Sequence, residues 1–352
     1  MSDRNTLLAS IANTIRTYRA GEIPEPNAEH VNRWVNQFAL SEQLPILQAL
    51  DPFMKRCFIT RDEVAEWLQR LVTSKKVAGD NPAAFWRSAN FLRIQHNGNS
   101  QNEMLAIFGE QLMQTYGFSV EDCGSLSGPY IYLDDVMCTG NRVTSDLETW
   151  IIDAAPDNSR LHVIVLITHT SSGYYMRQTR IPQIKANAEK SIEIDYWHNI
   201  DVESRFSEKD TSEVFWPVDA SANLATQQFA SQGRYPFVAR VPVAHESRVF
   251  EIEAGRQVLE NAFLEAGMRI RSHQANPSAI LKPLGYGGFN LGFGCVFTTY
   301  RNCPNNAPLA LWWGNGDANG PLRWYPLLPR NTYAHPATVQ PIPANAIRFW
   351  QP

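Results

Sequence analysis

The chain has 352 residues, with 31 Lys and Arg against 35 Asp and Glu; it is too long for one small core, and its near-neutral balance is no electrostatic footprint for a dedicated nucleic-acid binder. Five Cys at 57, 123, 138, 295 and 303 show neither metal-ligand nor disulfide spacing, which fits free thiols in a reducing compartment. No apolar run approaches membrane-spanning length and Met1-Ser2-Asp3-Arg4-Asn5 lacks a signal-peptide pattern, so a soluble, cytoplasmic protein without membrane contact is expected.

Residues 5–74 read as helical. Leu7, Leu8, Ile11 and Ile15 make one stripe; Val31, Trp34, Val35 and Phe38 make a second behind an Asn27 cap. Thr60 and Glu63 form a capping box before Val64, Trp67, Leu68 and Leu71. A polar break at 75–82 ends this region, and Asn81-Pro82 opens a new helix. Phe91–Ile94 is a short strand candidate. The loop His96-Asn97-Gly98-Asn99-Ser100 follows, with Ser100 and Glu103 read as a second capping box before Leu105, Phe108 and Leu112.

The centre of the chain is Tyr130-Ile131-Tyr132-Leu133-Asp134-Asp135-Val136-Met137-Cys138-Thr139-Gly140-Asn141-Arg142. A β-prone run ends in two carboxylates, and a short loop leads into Val143, Leu147, Trp150 and Ile151, one face of a helix. The loop N–H groups and the helix N-terminus favour a phosphate. The carboxylates can accept hydrogen bonds from vicinal hydroxyls. Ribose 5-phosphate offers both handles.

Beyond it, His162–Thr168 and Ser191–Tyr196 read as strands, with Tyr174–Lys190 helical between them and started or kinked by Pro182. Strand-helix alternation implies parallel pairing, with ligands across the carboxyl ends of the strands. Residues 198–246 are polar and give no clear pattern, whereas 247–266 read as a helix. The last third is dense in Gly, Pro, Asn and aromatics: Pro283-Leu284-Gly285-Tyr286-Gly287-Gly288-Phe289, Pro304-Asn305-Asn306, Trp312-Trp313 and Trp324 to Arg330. Such blocks make tight turns that hold aromatic planes close to a ligand or another backbone. His96, His162, His169, His198 and His245 show no ligand spacing.

The stretch Ile131–Gly140 resembles the ribose-phosphate signature of type I phosphoribosyltransferases; Asn141-Arg142 departs from it, where that family has a small residue and then Thr or Ser. The resemblance implies a doubly wound, mainly parallel α/β sheet, phosphoribosyl pyrophosphate or a nucleotide as ligand, and Mg2+ carried by the pyrophosphate. Asp134 and Asp135 would then take the ribose hydroxyls and act as the catalytic pair, and Thr139, Gly140, Asn141 and Arg142 the 5-phosphate. Gly98, Asn99 and Ser100 would face the pyrophosphate. That early loop carries no Lys or Arg, so magnesium, Arg93 or His96 has to offset the phosphate charge.

The C-terminal blocks, with His30–Phe38 and Gly98-Asn99-Ser100, are similar to the bacterial conflict-system phosphoribosyltransferase-like family, PRTase-CE. The polar break near 78 and the change of composition in the last third divide the chain into three regions: an N-terminal helical region at 1–78, an α/β core at 79–246, and a helix with an aromatic hood at 247–352. In the hood, Trp312, Trp313, Trp324 or Tyr286 would stack a base, Asn305 and Asn306 would read its edge, and Arg330 would pair with phosphate or carboxylate. The likeness further implies a toxin-like effector of antiviral defence, acting by transfer or hydrolysis at ribose C1. Partner proteins would restrain it, among them a retron reverse transcriptase with its RNA–DNA hybrid and a winged-helix protein; an oligomer is compatible. A non-catalytic sensor, or an assembly subunit of a defence complex, stays open beside the enzyme.

Overall fold

Capping side chains set the N-terminal helices. Asp3 accepts from Thr6 N to start α1 (Arg4–Ile15), and Asn27 accepts from His30 N to start α2 (Ala28–Val35). Helix α3 (Leu40–Cys57) runs into the two-residue strand β1 (Phe58–Ile59). The Thr60/Glu63 capping box then opens α4 (Arg61–Val72), as the sequence implies. A short α5 (Lys75–Ala78) precedes α6 (Pro82–Ser88), which starts on the Asn81 side chain with Pro82 in its first turn. The computed structural model describes residues 3–96, 98–221, 223–232, 236–242, 247–287, 290–314 and 322–330; Asn97, His245, Gly288 and Phe289 lie outside them.

A four-stranded parallel sheet follows, in the order β2 (Asn90–Phe91), β3 (Tyr130–Met137), β4 (Ser159–His169), β5 (Ile192–Val202). Its helices are α7 (Ser100–Tyr116), α8 (Asn141–Asp153), α9 (Thr170–Tyr175) and α10 (Ile181–Ala188). Alternation along the strands assigns the two faces. Ile131, Leu133, Ile164 and Leu166 share a core with Met104, Leu105 and Phe108 of α7. Tyr132, Val163 and Val165 pack with Val143, Leu147 and Trp150 of α8 and with Ile181 and Ile184 of α10. The expected mixed α/β architecture, parallel and covered by helices on both faces, is present.

Several boundaries differ from the sequence reading. Strand pairing at 91–94 ends at Phe91, because the Gln101 side chain takes the N–H groups of Ile94 (2.7 Å) and Gln95 (3.2 Å). Ser100 and Glu103 form no capping box: Gln95 donates to the Ser100 hydroxyl, and Glu103 pairs with Arg301. The helix read at 247–266 is α12 (Glu253–Ser272), displaced because Ser247 Oγ holds the N–H groups of Val249 and Phe250 in a turn. Between β4 and β5 the chain is helical through a π turn at Met176–Arg180, which admits Pro182 at the head of α10. The unpatterned stretch holds the end of β5 and α11 (Leu224–Ser231).

The C-terminal blocks are stitched to the N-terminal helices. Strand β6 (Thr298–Thr299) pairs in parallel with β1. Trp34 and Trp324 both donate their indole N–H to Ala310 O, at 2.8 and 2.9 Å, beside the short α13 (Leu309–Trp312). Cys303 N donates to Tyr18 Oη (3.0 Å), whose hydroxyl reaches Pro329 O (3.1 Å). Among the described residues, no helix is long and apolar enough to cross a membrane.

Candidate active site

The acid pair sits at the carboxyl end of β3, where alternation sends successive side chains to opposite faces. Asp134 is buried, 3% exposed. Its Oδ1 accepts from Asp135 N at 2.9 Å, and its Oδ2 lies 3.4 Å from the Tyr132 hydroxyl. Burial, then the charge of Asp135, pushes its carboxyl up to about 7, against hydrogen bonds from Ser100 and Asp135 N and the charge of Arg142.

Proton counting calls for one further proton between Asp134 and Asp146. Tyr132 Oη also lies 3.2 Å from Asp146 Oδ2, and one hydroxyl proton serves one carboxylate. With Tyr132 donating to Asp146, Asp134 needs a proton of its own to face the same oxygen. Asp146, in turn, takes His96 Nδ1 (3.2 Å) and His96 N (3.4 Å) on its Oδ1. A chain of polar contacts thus runs from exposed His96 through Asp146 and Tyr132 to Asp134. The sequence reading missed Asp146. Its signal was an acid three residues after Val143 and four before Trp150, on the apolar face of α8.

Asp135 is held on the other side. Its Oδ2 accepts from Arg301 Nη1 (3.1 Å) and the Thr299 hydroxyl (3.4 Å), and its Oδ1 from Val136 N (2.7 Å). The same guanidinium grips Glu103 of α7 with Nε and Nη2. Two carboxylates around one largely buried guanidinium raise the pKa of Arg301 despite its burial. Arg301, unremarked in the sequence, ties the second acid of the pair to the C-terminal region.

The turn after β3 has the expected shape. Gly140 caps α8 at φ 74°, a left-handed conformation that glycine enters without strain, and Thr139 Oγ1 accepts from Asn141 N at 3.5 Å. Asn141 and Arg142 are exposed. Arg142 reaches the early loop: a methyl on Gly98, itself at φ 104°, would sit 2.9 Å from Arg142 Nη1. Gly98, Ser100, Asp134 and Arg142 therefore meet, and Arg142 brings a guanidinium to a loop that has no Lys or Arg of its own. Arg93 is elsewhere, ion-paired with Glu121. Asn99 is exposed at the head of α7, its amide donating to Glu103 at 3.1 Å.

The C-terminal residues divide. A methyl on Gly287 would touch Thr139 Cγ2 at 3.6 Å, so this block borders the turn. Asn305 contributes its backbone carbonyl to Tyr286 N, and Asn306 donates its amide to Tyr286 O. Arg330 donates to Cys303 O (2.7 Å) and lies over the Trp312 ring; burial lowers its pKa, and the nearby Arg142 charge adds to that. The expectation for Trp312 is corrected. At 4% exposure, with Nε1 bonded to Ala307 O at 2.7 Å, the ring is core against Tyr286 and Trp313 and is not offered to a base. An apolar cleft between Phe206, Trp216, Val238 and Leu291, and a polar one around Asp210, Arg248 and Arg256, include none of these residues.

A family model described as PRTase-CE matches residues 31–330, a span containing both loops and the acid pair. The comparisons with curated proteins and with solved structures gave no match.

Proposed function

Because the chain belongs to the PRTase-CE family and is thus phosphoribosyltransferase-like, we propose that it binds phosphoribosyl pyrophosphate or a nucleotide and acts at ribose C1. The observation that carries this is the meeting of Arg142, Gly98, Ser100 and Asp134 at the ends of β2 and β3. Backbone N–H groups of the Thr139–Arg142 turn and the Arg142 guanidinium would take the 5-phosphate. Gly98, Asn99 and Ser100 would face the pyrophosphate, which arrives as its magnesium complex. Asp134 and Asp135, on opposite faces at the end of β3 and both held by protein partners here, would have to exchange those partners for the ribose hydroxyls, and would then stabilise positive charge developing at C1. Transfer and hydrolysis use the same groups, and the acceptor decides between them. In a cell, such an activity would serve as a restrained effector of antiviral defence, released when its protein partners change state.

Calorimetry with magnesium phosphoribosyl pyrophosphate, run beside an assay for pyrophosphate release, tests this. An Asp134→Asn/Asp135→Asn variant that stays folded is expected to lose at least about tenfold in affinity, ~1.4 kcal/mol, and all turnover. Undiminished binding by that variant would remove the acids from the site.

A second reading, binding without turnover, is favoured by the Arg301–Asp135 pair, which occupies one of the two acids. If Arg301 competes with the ribose for Asp135, Arg301→Gln should tighten ligand binding about fivefold, ~1 kcal/mol, while lowering the melting temperature. Weaker binding in the same variant would make Arg301 itself a ligand contact.

A further inference from the structure

Three soft ligands from distant parts of the chain converge beneath the phosphate turn. Cys138 Sγ, Cys295 Sγ and an imidazole nitrogen of His169 all lie within 4.8 Å of one another. The β3–β4 register explains half of this. Met137 stands opposite Thr168, so the next residues on each strand, Cys138 and His169, are brought side by side. Cys295 arrives from the C-terminal region, where its N–H is held by Asn306 O at 3.0 Å. All three residues are buried, at 6%, 0% and 0% exposure.

The imidazole is set up for ligation. His169 Nδ1 lies 3.1 Å from Met137 O, an acceptor, so Nδ1 carries the hydrogen. The Nε2 lone pair is then turned to the thiols, where Cys295 is its side-chain neighbour and no nitrogen or oxygen donor reaches it among the described residues. A histidine whose other nitrogen donates to a backbone carbonyl is oriented as metal-binding histidines are. The Phe293 ring, 4.9 Å away and edge-on, fixes the ring plane.

Distance separates a metal from a disulfide. The two sulfurs are 3.3 Å apart. Tetrahedral ligation at a metal–sulfur length of about 2.3 Å places two sulfurs about 3.8 Å apart. A disulfide needs about 2.05 Å. The thiols must part by about half an ångström for the first and close by more than an ångström for the second.

We propose that Cys138, His169 and Cys295 bind a thiophilic ion, zinc(II) or copper(I), which share this ligand chemistry. Ligation replaces two S–H bonds by metal–sulfur bonds and releases two protons to solvent. The ion would pin the residue preceding Thr139-Gly140 to the end of β4 and to the C-terminal region, fixing the floor of the turn. This assignment is independent of the ligand proposed above.

The test loads the reduced full-length protein with zinc(II) or, separately, copper(I), removes excess ion and counts bound metal. About one equivalent of one ion is expected to remain, and that ion identifies the site. Cys138→Ser and Cys295→Ser should lose it, while Cys303→Ser, another buried thiol, should keep it. Cobalt(II) loading of the unmodified protein should give a sulfur-to-cobalt charge-transfer band, a readout independent of whether the variants fold. Failure of the reduced protein to retain either ion, retention by both Cys138→Ser and Cys295→Ser, or a Cys138–Cys295 disulfide in place of the ion would overturn the proposal.

Discussion

Asp134→Asn is expected to stabilise the protein near pH 8 and to change little near pH 4. The Asp134 carboxyl titrates at about 7 in the fold, against an ordinary value of 3.8. The folded state therefore holds this proton more tightly than the unfolded chain does. Its contribution to stability is complete below the unfolded value, falls as pH rises between the two, and is gone above about 7. Three pH units of difference correspond to at most about 4 kcal/mol. Asparagine is neutral throughout, keeps the side chain's shape, and still accepts from Asp135 N–H. Urea midpoints should rise for the variant at the higher pH, by about 2–4 kcal/mol at unchanged slope. An equal gain at both pH values would make the effect one of packing, and a loss at high pH would mean the native carboxylate is satisfied while ionised. A group that weakens its own fold at neutral pH is expected where charge is reserved for a ligand. A magnesium-bearing or cationic ligand would draw that carboxyl back to its ionised form.

The α/β core was legible because its signals are local. Apolar runs gave β3 and β4, helical stripes gave α7 and α8, and the Thr60 and Asn27 caps fell where side-chain chemistry placed them. The turn after β3 was legible for the same reason, since Gly140 needs a left-handed backbone and the helix needs a cap. What stayed hidden depends on partners far away in the chain. Arg301 finds Asp135 and Glu103, and Cys295 finds Cys138, all across long sequence separations. Gln101 ends strand pairing through its side chain, and Ser247 delays α12 in the same way. Trp312 shows the reverse error. A Gly/Pro/aromatic block can serve a ligand or a core, and only the carbonyl of Ala307 decides between them.

The polar stretch before α12 gave no pattern because buried charge, rather than periodic apolar surface, holds much of it in place. Glu260 of α12 is fully buried and accepts from Arg240 Nη2 (2.8 Å), Arg256 Nε (2.9 Å) and Trp216 N (3.0 Å). Arg240 also pairs with Glu253 (2.7 Å), and Arg256 donates to Ser212 O (2.8 Å) and Val214 O (2.6 Å). Two acids thus balance two guanidiniums around backbone groups that have no other partner among the described residues. Glu260→Gln leaves one buried positive charge uncompensated, and the expected loss is about 3–5 kcal/mol. Replacing Arg240, Arg256 and Glu260 together by apolar residues should not restore full stability, although bare buried ion networks often tolerate that exchange. Here Trp216 N, Ser212 O and Val214 O would each lose a partner, at about 1–3 kcal/mol apiece. Denaturant unfolding of the single and triple variants measures both. A loss below about 1 kcal/mol for Glu260→Gln would mean that water enters the network and screens it as it does a surface pair.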